Sequence, residues 1–549
     1  VAANPQFSQT TLRLIQQVLA QAHSGNVASA RASANSGLRS GEAAEVFHAL
    51  LGGLDCQGGD YPAGIAHFRA ALALKPSDVA VRCNLVRALT DTGDIEGALK
   101  ACPQQQVDAD PSQRLRRLRS YLLLQTGEHS GAIAGYERIV AAEPKDFESW
   151  NNLGNALSAT GAGEEALAAI NLAATLRPDN APVRFNQCTT LVELRRMDEA
   201  EAAFLAYCRD FPKDEKPRRE LAALCKLRGR DAEALAHLEE AARLVPTDPG
   251  MQIKLGLERQ FALQMEGAEA AFRKAAELDP ALDEAYVLLA LHLEHMNKPV
   301  ELAQLIHAAE AGKAGAGTQH FLNALICRRD GRFVEGLAEL EAVPPDLEPI
   351  RVAHLRGQCY DRLGNADKAF ESFAEMNRLQ QEDPSEPVRR ANEFRESLLL
   401  DRAQVTPQWY AGWRAEPAQD SRAAPVFLLG FPRSGTTLLD TMLMGHPAVQ
   451  VLEERPLIPN IERDVGGIER LAGLSAIEIS GLRDSYFDEA RRWINLRDDS
   501  LLVDKNPLHL NKVPYIHRLF PDARFILALR HPLDVLLSCY ITNFRLNNA

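Results

Sequence analysis

The chain of 549 residues contains no run of about 20 consecutive apolar side chains, the length a membrane-crossing helix needs. Its first stretch, VAANPQFSQTTLRLIQQVLAQ, lacks a basic segment and an unbroken apolar one, so it does not read as a secretory signal. The nine cysteines form no CxxC pair and no cluster with histidine. That excludes a zinc framework and points to reduced thiols acting as small core hydrophobes. Basic excess is missing too: a net charge of −13 argues against nonspecific nucleic-acid binding. What remains is an ordinary globular composition, 46% hydrophobic and 25% charged. The chain is too long for one core, which stops growing near about 250–300 residues.

A fixed period is abundant instead. Ala98, Ala132, Ala166, Ala200, Ala234 and Ala268 follow one another at intervals of 34 residues, and Gly64 extends the series backwards. Four positions after each stands a larger side chain: Phe68, Cys102, Tyr136, Ile170, Phe204, Leu238 and Phe272. Eight further on come Pro76, Pro144, Pro178, Pro212, Pro246 and Pro280, with Asp110 alone breaking the row. The small residue lets two helices approach, and the large one shares its helical face. The proline stops the second helix because it has no N–H to donate. Each repeat therefore predicts a helix pair. With Trp150, Leu153, Gly154, Leu157, Ala166, Ile170, Ala173 and Pro178 in the best copy, the pattern resembles the tetratricopeptide-repeat family. The phase continues at Leu302 and Gly336, and a last copy shifted by one residue carries Gly357, Ala369 and Phe373. An all-α superhelix of about ten helix pairs is expected over residues 1–380. The resemblance implies a scaffold for a protein or peptide on the concave face. A homodimer contact, or support for the second domain, is the plainer use.

Between 381 and 424 the period is lost. QQEDPSEPVRR and RAEPAQDSRAAP are polar and contain proline, and RANEFRESLLLDR between them predicts one helix. This segment is expected to be a linker with an embedded helix. From 425 the pattern changes again. VFLLG (426–430), LLVDKNP (501–507) and FILALRHP (525–532) are short apolar runs ending in polar clusters, which predict parallel strands buried on both faces. LLDTMLMGH and LDVLLSCYITNF predict the helices after the first and third. In open parallel sheets ligands bind beyond the carboxyl ends of the strands, where all three clusters fall.

GFPRSGTT (430–437) leads from strand to helix and nearly spells a nucleotide-binding loop, G-x-x-x-x-G-K-[ST], but Thr436 stands where the lysine belongs. Its N–H groups and the helix dipole suit an anion. Ser434, Gly435, Thr436 and Thr437 supply backbone and hydroxyl donors, and Arg433 a fixed charge. A triphosphate hydrolase or kinase would want the lysine and a magnesium-holding Asp. The loop instead suits a donor with fewer phosphates and no metal.

FPRSGTT resembles the phosphosulfate-binding loop of sulfotransferases that use 3′-phosphoadenosine 5′-phosphosulfate (PAPS). It is most similar to the tyrosylprotein sulfotransferases and to bacterial proteins joining tetratricopeptide repeats to a sulfotransferase domain. Those enzymes carry a His-Pro and then a Glu-Glu pair, matched by His446-Pro447 and Glu453-Glu454. The resemblance makes Glu454 the general base. Their lysine-bearing strand end is matched by Asp504-Lys505-Asn506-Pro507, and their 3′-phosphate motif by Arg530 and Ser538. A further Arg four positions after that serine is replaced here by Thr542. Lys505 and Arg433 would neutralise charge on the leaving phosphate, and Glu454 would take the proton of the acceptor.

The expectation is thus an all-α tetratricopeptide superhelix followed by an α/β, P-loop-like sulfotransferase domain with a parallel sheet at 425–549. Only the N-terminal portion of that domain is expected in the chain. The expected activity is PAPS-dependent sulfuryl transfer to a hydroxyl, without metal, in a bacterial cytoplasm. The acceptor stays open between protein tyrosine, carbohydrate and small hydroxylated metabolites. A non-enzymatic repeat scaffold with a truncated or degenerate sulfotransferase domain is the alternative.

Overall fold

The computed structural model describes residues 7–413 and 422–544. Residues 414–421 of the expected linker and the last five of the 425–549 segment lie outside the described residues. The chain divides into two compact units, Val1–Ala271 and Phe272–Ala549. The division falls inside the repeat array, because the last helix pairs share a unit with the α/β segment.

In the first unit the helix pairs follow the period, from Gln9–His23 with Val27–Ser40 to Lys216–Leu227 with Asp231–Leu244. Side chains at the repeat joints start the next helix. Asp78, Asp146 and Asn180 accept from the N–H groups of Val81, Ser149 and Val183, the N-cap arrangement that satisfies an orphan donor. The turn inside each pair places one residue per period at positive φ: Gly59, Gly93, Gly127, Gly161 and Gly229, with Arg195 and Leu263 in the intervening places. A side chain there costs about 1–2 kcal/mol. The repeat alanines Ala132, Ala166, Ala200 and Ala234 are fully buried. Gly154 faces Ile170 so closely that a Cβ would lie 2.4 Å from its Cγ1 and 3.0 Å from the Ala166 carbonyl.

Where the proline row fails, Asp110 does other work. It is buried and accepts from the N–H groups of Ser112 and Leu115, both at 2.9 Å. The cysteines are free and mostly buried, and burial pushes the Cys102 thiol up to about 11.

In the second unit three further helix pairs end with Pro349–Arg362 and Ala366–Gln381, the last repeat. A linker helix, Pro387–Gln404, and a short turn of helix, Pro407–Ala411, follow. Then comes a four-stranded parallel sheet: β1 (Val426–Gly430), β2 (Val449–Glu453), β3 (Leu501–Lys505) and β4 (Arg524–Ala528), in the order β2-β3-β1-β4. The sequence reading omitted β2, whose VQVLE is too polar to stand out. Alternate β1 residues face opposite ways. Phe427 and Leu429 join the larger core with Leu452, Tyr486 and Phe520, whereas Val426 and Leu428 pack with Val503 and Ala528.

β4 departs from the expectation of strands buried on both faces. Phe525, Ile526 and Leu527 are exposed, because β4 is the sheet edge and is only partly covered on either face by the described residues. The loop helix, Thr436–Met444, follows β1, and the Ser538 helix, Pro532–Tyr540, follows β4. The last repeat is fastened to the Ser538 helix. Asn377 donates to the Tyr540 carbonyl at 3.0 Å, Gln380 to Asn543 at 2.8 Å, and Phe370 stacks on Tyr540 with centroids 4.8 Å apart.

The close approach at Gly154 carries a prediction. Gly154→Val is expected to destabilise the array by about 1–3 kcal/mol, the usual cost of overpacking. Denaturant midpoints followed by circular dichroism measure this; an unchanged midpoint refutes the tight contact with Ile170.

Candidate functional site

The strand order reverses between β1 and β3, so the connections leave in opposite directions and open a crevice at the strand ends. Two clusters of side chains stand there.

The first is the loop after β1. Gly430 has no room for a side chain: a Cβ would lie 2.5 Å from Ser434 Oγ and 3.0 Å from the Ala528 carbonyl. Arg433 and Gly435 take positive φ, +69° and +97°, which folds the loop back over the start of its helix. The first N–H groups of that helix have no intrahelical acceptor. Ser434 Oγ is buried without a hydrogen-bond partner, Thr436 is buried, and Thr437 is exposed. Arg433 Nε donates to Ser538 Oγ at 3.0 Å, and Arg530 Nη1 donates to the Arg433 carbonyl at 3.1 Å. Arg433 thus meets two residues about a hundred positions away, with two guanidinium groups beside a buried hydroxyl and a helix N-terminus.

The second cluster is built on β3. Its register sets Lys505 opposite Leu428 on one side and Glu453 on the other. Lys505 is fully buried, and its Nζ donates to Glu454 Oε1 at 2.7 Å and to Glu453 Oε1 at 3.0 Å. It also pairs with Asp440 Oδ2 at 3.0 Å. Burial opposes the ammonium charge, but the hydrogen bonds to Glu454, Asp440 and Glu453 outweigh it and hold the pKa above its ordinary value. Glu454 leaves β2 with φ +49°, and its N–H donates to the Lys505 carbonyl at 2.7 Å.

Asp440 was not singled out from the sequence. It comes from the apolar helix LLDTMLM, is 1% exposed, and is the inner member of the three carboxylates. The available signal was one acidic residue among apolar neighbours, one turn after Thr436.

Beneath Lys505, on the opposite sheet face, Tyr486 donates to the buried Asp504 Oδ2 at 2.7 Å. Burial pushes the Asp504 carboxyl up to about 7, although the Tyr486 bond opposes this. His509, also buried, is pushed down to about 3 by burial and by Lys512, so it is neutral at pH 7. His531 accepts from the Leu533 N–H and caps its helix.

Residues 425–549 match the profile of the sulfotransferase family, and 56–113, 117–181 and 186–249 match a tetratricopeptide repeat. The chain therefore joins tetratricopeptide repeats to a sulfotransferase-family segment. An uncharacterised protein of Aquifex aeolicus is 25% identical over 427 residues, 66% of this chain and 55% of that protein. Protein-tyrosine sulfotransferase 1 of Homo sapiens is 32% identical over 117 residues, 19% of this chain and 30% of that protein. The chain spans about half the length of the first relative and under a third of the second. A tetratricopeptide repeat protein of Parabacteroides merdae matches 44% of this chain and 94% of its own at 18% identity, with a TM-score of 0.33. No helix of the described residues is long and apolar enough to cross a membrane.

Asp504 gives a pH prediction. Its folded pKa of about 7 lies above the ordinary 3.8. The protonated form therefore contributes stability fully below about pH 4, and that contribution is lost as pH rises through about 7. Asp504→Asn keeps an acceptor for Tyr486 and removes the titration. Urea midpoints are expected to favour the variant increasingly between about pH 4 and 7; parallel pH profiles for the two proteins would refute the assignment.

Proposed function

We propose that the chain binds PAPS at the β1 loop and transfers its sulfuryl group to an acceptor hydroxyl. One observation carries the reading: Lys505, a buried cation at the end of β3, meets Glu454 beside a loop whose Arg433 meets Ser538 and Arg530. The residues present fit the donor. The unpartnered Ser434 Oγ, the free helix N–H groups and Arg433 suit the phosphosulfate. Arg530 and Ser538 suit a second phosphate, the feature that separates PAPS from AMP.

When bound, the donor supplies sulfur to which the acceptor oxygen bonds while the sulfur–oxygen bond to its 5′-phosphate breaks, the electron pair leaving on the phosphate. The chain's own residues act around that exchange. The Lys505 ammonium donates to Glu453 and Glu454 and is ion-paired with Asp440. Asp440 is buried, whereas the Glu453 and Glu454 side chains are 47% and 54% exposed. An anion arriving at Lys505 displaces an exposed carboxylate and leaves Asp440 in place. Released from the ammonium, Glu454 is free to take the acceptor proton. Lys505 and Arg433 then hold positive charge where negative charge accumulates on the phosphate.

The repeats serve in this reading as a protein- or peptide-binding scaffold. Their first unit supports it with amides from successive repeats: Asn186 Nδ2 donates to Asn151 Oδ1 at 2.9 Å and to Asn155 Oδ1 at 3.3 Å. These amides can exchange partners with a peptide backbone.

Two measurements test the proposal. Isothermal titration is expected to show 3′-phosphoadenosine 5′-phosphate binding without magnesium and more tightly than AMP, with Arg530→Ala narrowing that preference by about tenfold, a charge-assisted bond's worth. Binding of AMP as tight, or of ATP only with magnesium, refutes the donor assignment. Glu454→Gln is expected to keep nucleotide binding and slow transfer by about 10²–10⁴-fold, the range for general-base catalysis. Unchanged turnover removes Glu454 as the base.

A further inference from the structure

A cavity of about 880 Å³ opens beside the phosphate loop, and the three segments that carry the site also form its inner wall. Phe431 and Pro432 precede Arg433, Pro507 lies two residues after Lys505, and Tyr540 lies two after Ser538. Its outer wall comes from the linker helix. Val388, Ala391, Phe394 and Leu398 share one face of that helix and line the cavity, yet none of the helix's residues is buried. An apolar stripe of this kind ordinarily packs against a core; here it faces an open cleft.

The chemistry of the lining is uniform. Among the described residues, none that lines the cavity is charged. The amide nitrogens of Asn377 and Gln380 are already committed, to the Tyr540 carbonyl at 3.0 Å and Asn543 Oδ1 at 2.8 Å. Few polar groups remain beside them: the Gln381 amide, the Tyr540 hydroxyl and Asn511, whose Oδ1 is buried without a hydrogen-bond partner. A carbohydrate would lose the hydration of several hydroxyls here and find few polar partners, at a cost of about 1–3 kcal/mol for each hydroxyl left unpaired. An apolar molecule that brings one donor loses nothing comparable. The volume is in the usual range for small-molecule sites, about 300–1,000 Å³.

We infer that this cavity is the acceptor pocket, that the linker helix is its outer wall, and that the acceptor is a hydroxyl compound with an uncharged aromatic or aliphatic body. The inference rests on the sulfuryl-transfer reading, since the cavity shares its wall with the loop that carries Arg433 and the strand end that carries Lys505. It also extends that reading: the segment between repeats and sheet becomes part of the site, and sugars are disfavoured.

The probe is 2-naphthol, a neutral fluorescent aromatic alcohol, titrated into the full chain in the presence of 3′-phosphoadenosine 5′-phosphate. Saturable binding is expected, with no competition from methyl glucoside. Ala391→Trp fills the cavity from an exposed helix, and Val388→Asp places a charge on its wall. Each is expected to weaken 2-naphthol binding about tenfold or more, to raise KM for transfer to 2-naphthol in step without lowering kcat, and to leave nucleotide binding unchanged. Nucleotide binding with 2-naphthol binding untouched by both variants overturns the pocket alone. Equal competition by methyl glucoside overturns the acceptor class. A shift in sedimentation coefficient with Ala391→Trp, without loss of 2-naphthol binding, overturns the pocket in favour of a contact between two copies. Absence of nucleotide binding in the native chain overturns the underlying reading and the inference with it.

Discussion

The ammonium of Lys505 organises the α/β segment. Removing a charged group of this size from water costs several kcal/mol even after relaxation, so a buried cation persists only where its partners are fixed. Asp440 meets that demand from the loop helix, which sets the rotation of that helix. Glu453 and Glu454 meet it from the end of β2, which sets the β2–β3 register. The loop, the helix and two strands therefore have one position in common that none of them can leave alone. Asp504, one residue earlier, points the other way and is answered by Tyr486. The strand end is thus pinned on both faces by polar contacts inside otherwise apolar packing.

The backbone at the site is held in unfavourable conformations by the same contacts. Arg433 and Glu454 both sit at positive φ, where a side chain costs about 1–2 kcal/mol. Each is fixed by a main-chain bond, the Arg433 carbonyl to Arg530 and the Glu454 N–H to the Lys505 carbonyl. In the repeats the same φ recurs once per period at turns, mostly on glycine, and answers only to helix geometry. At the site it falls on two charged residues whose chemistry depends on where their side chains leave the chain.

Much of this was legible in the sequence. The repeats were, because a small residue, a large one four later and a proline eight further on each answer a local demand that recurs every 34 positions. Strands β1, β3 and β4 were, because short apolar runs end abruptly in polar clusters. β2 was not: VQVLE has only three apolar residues, and its place in the sheet depends on pairing with β3, half a hundred residues away. Asp440 was hidden for a similar reason, since a lone acid in an apolar helix gains meaning only when Lys505 arrives from another strand. The linker helix was visible as a helix, but the open cleft along its apolar stripe exists only once the loop and the β3 end are folded opposite it. Local rules gave the pieces, and long-range pairing gave the site.

The fastening of the last repeat to the Ser538 helix makes the protein unevenly modular. Asn377, Gln380 and Phe370 hold the helix that carries Ser538, so the final helix pair is as much a part of the α/β unit as of the array. Earlier repeats meet mainly their neighbours, and in a stacked array of that kind repeats can be gained or lost without disturbing distant ones. Variation in array length is therefore cheap towards the N-terminal end and costly at its C-terminal end. Any exchange of recognition surface between such proteins has a natural cut site, upstream of Pro349–Arg362 rather than at the start of the sheet.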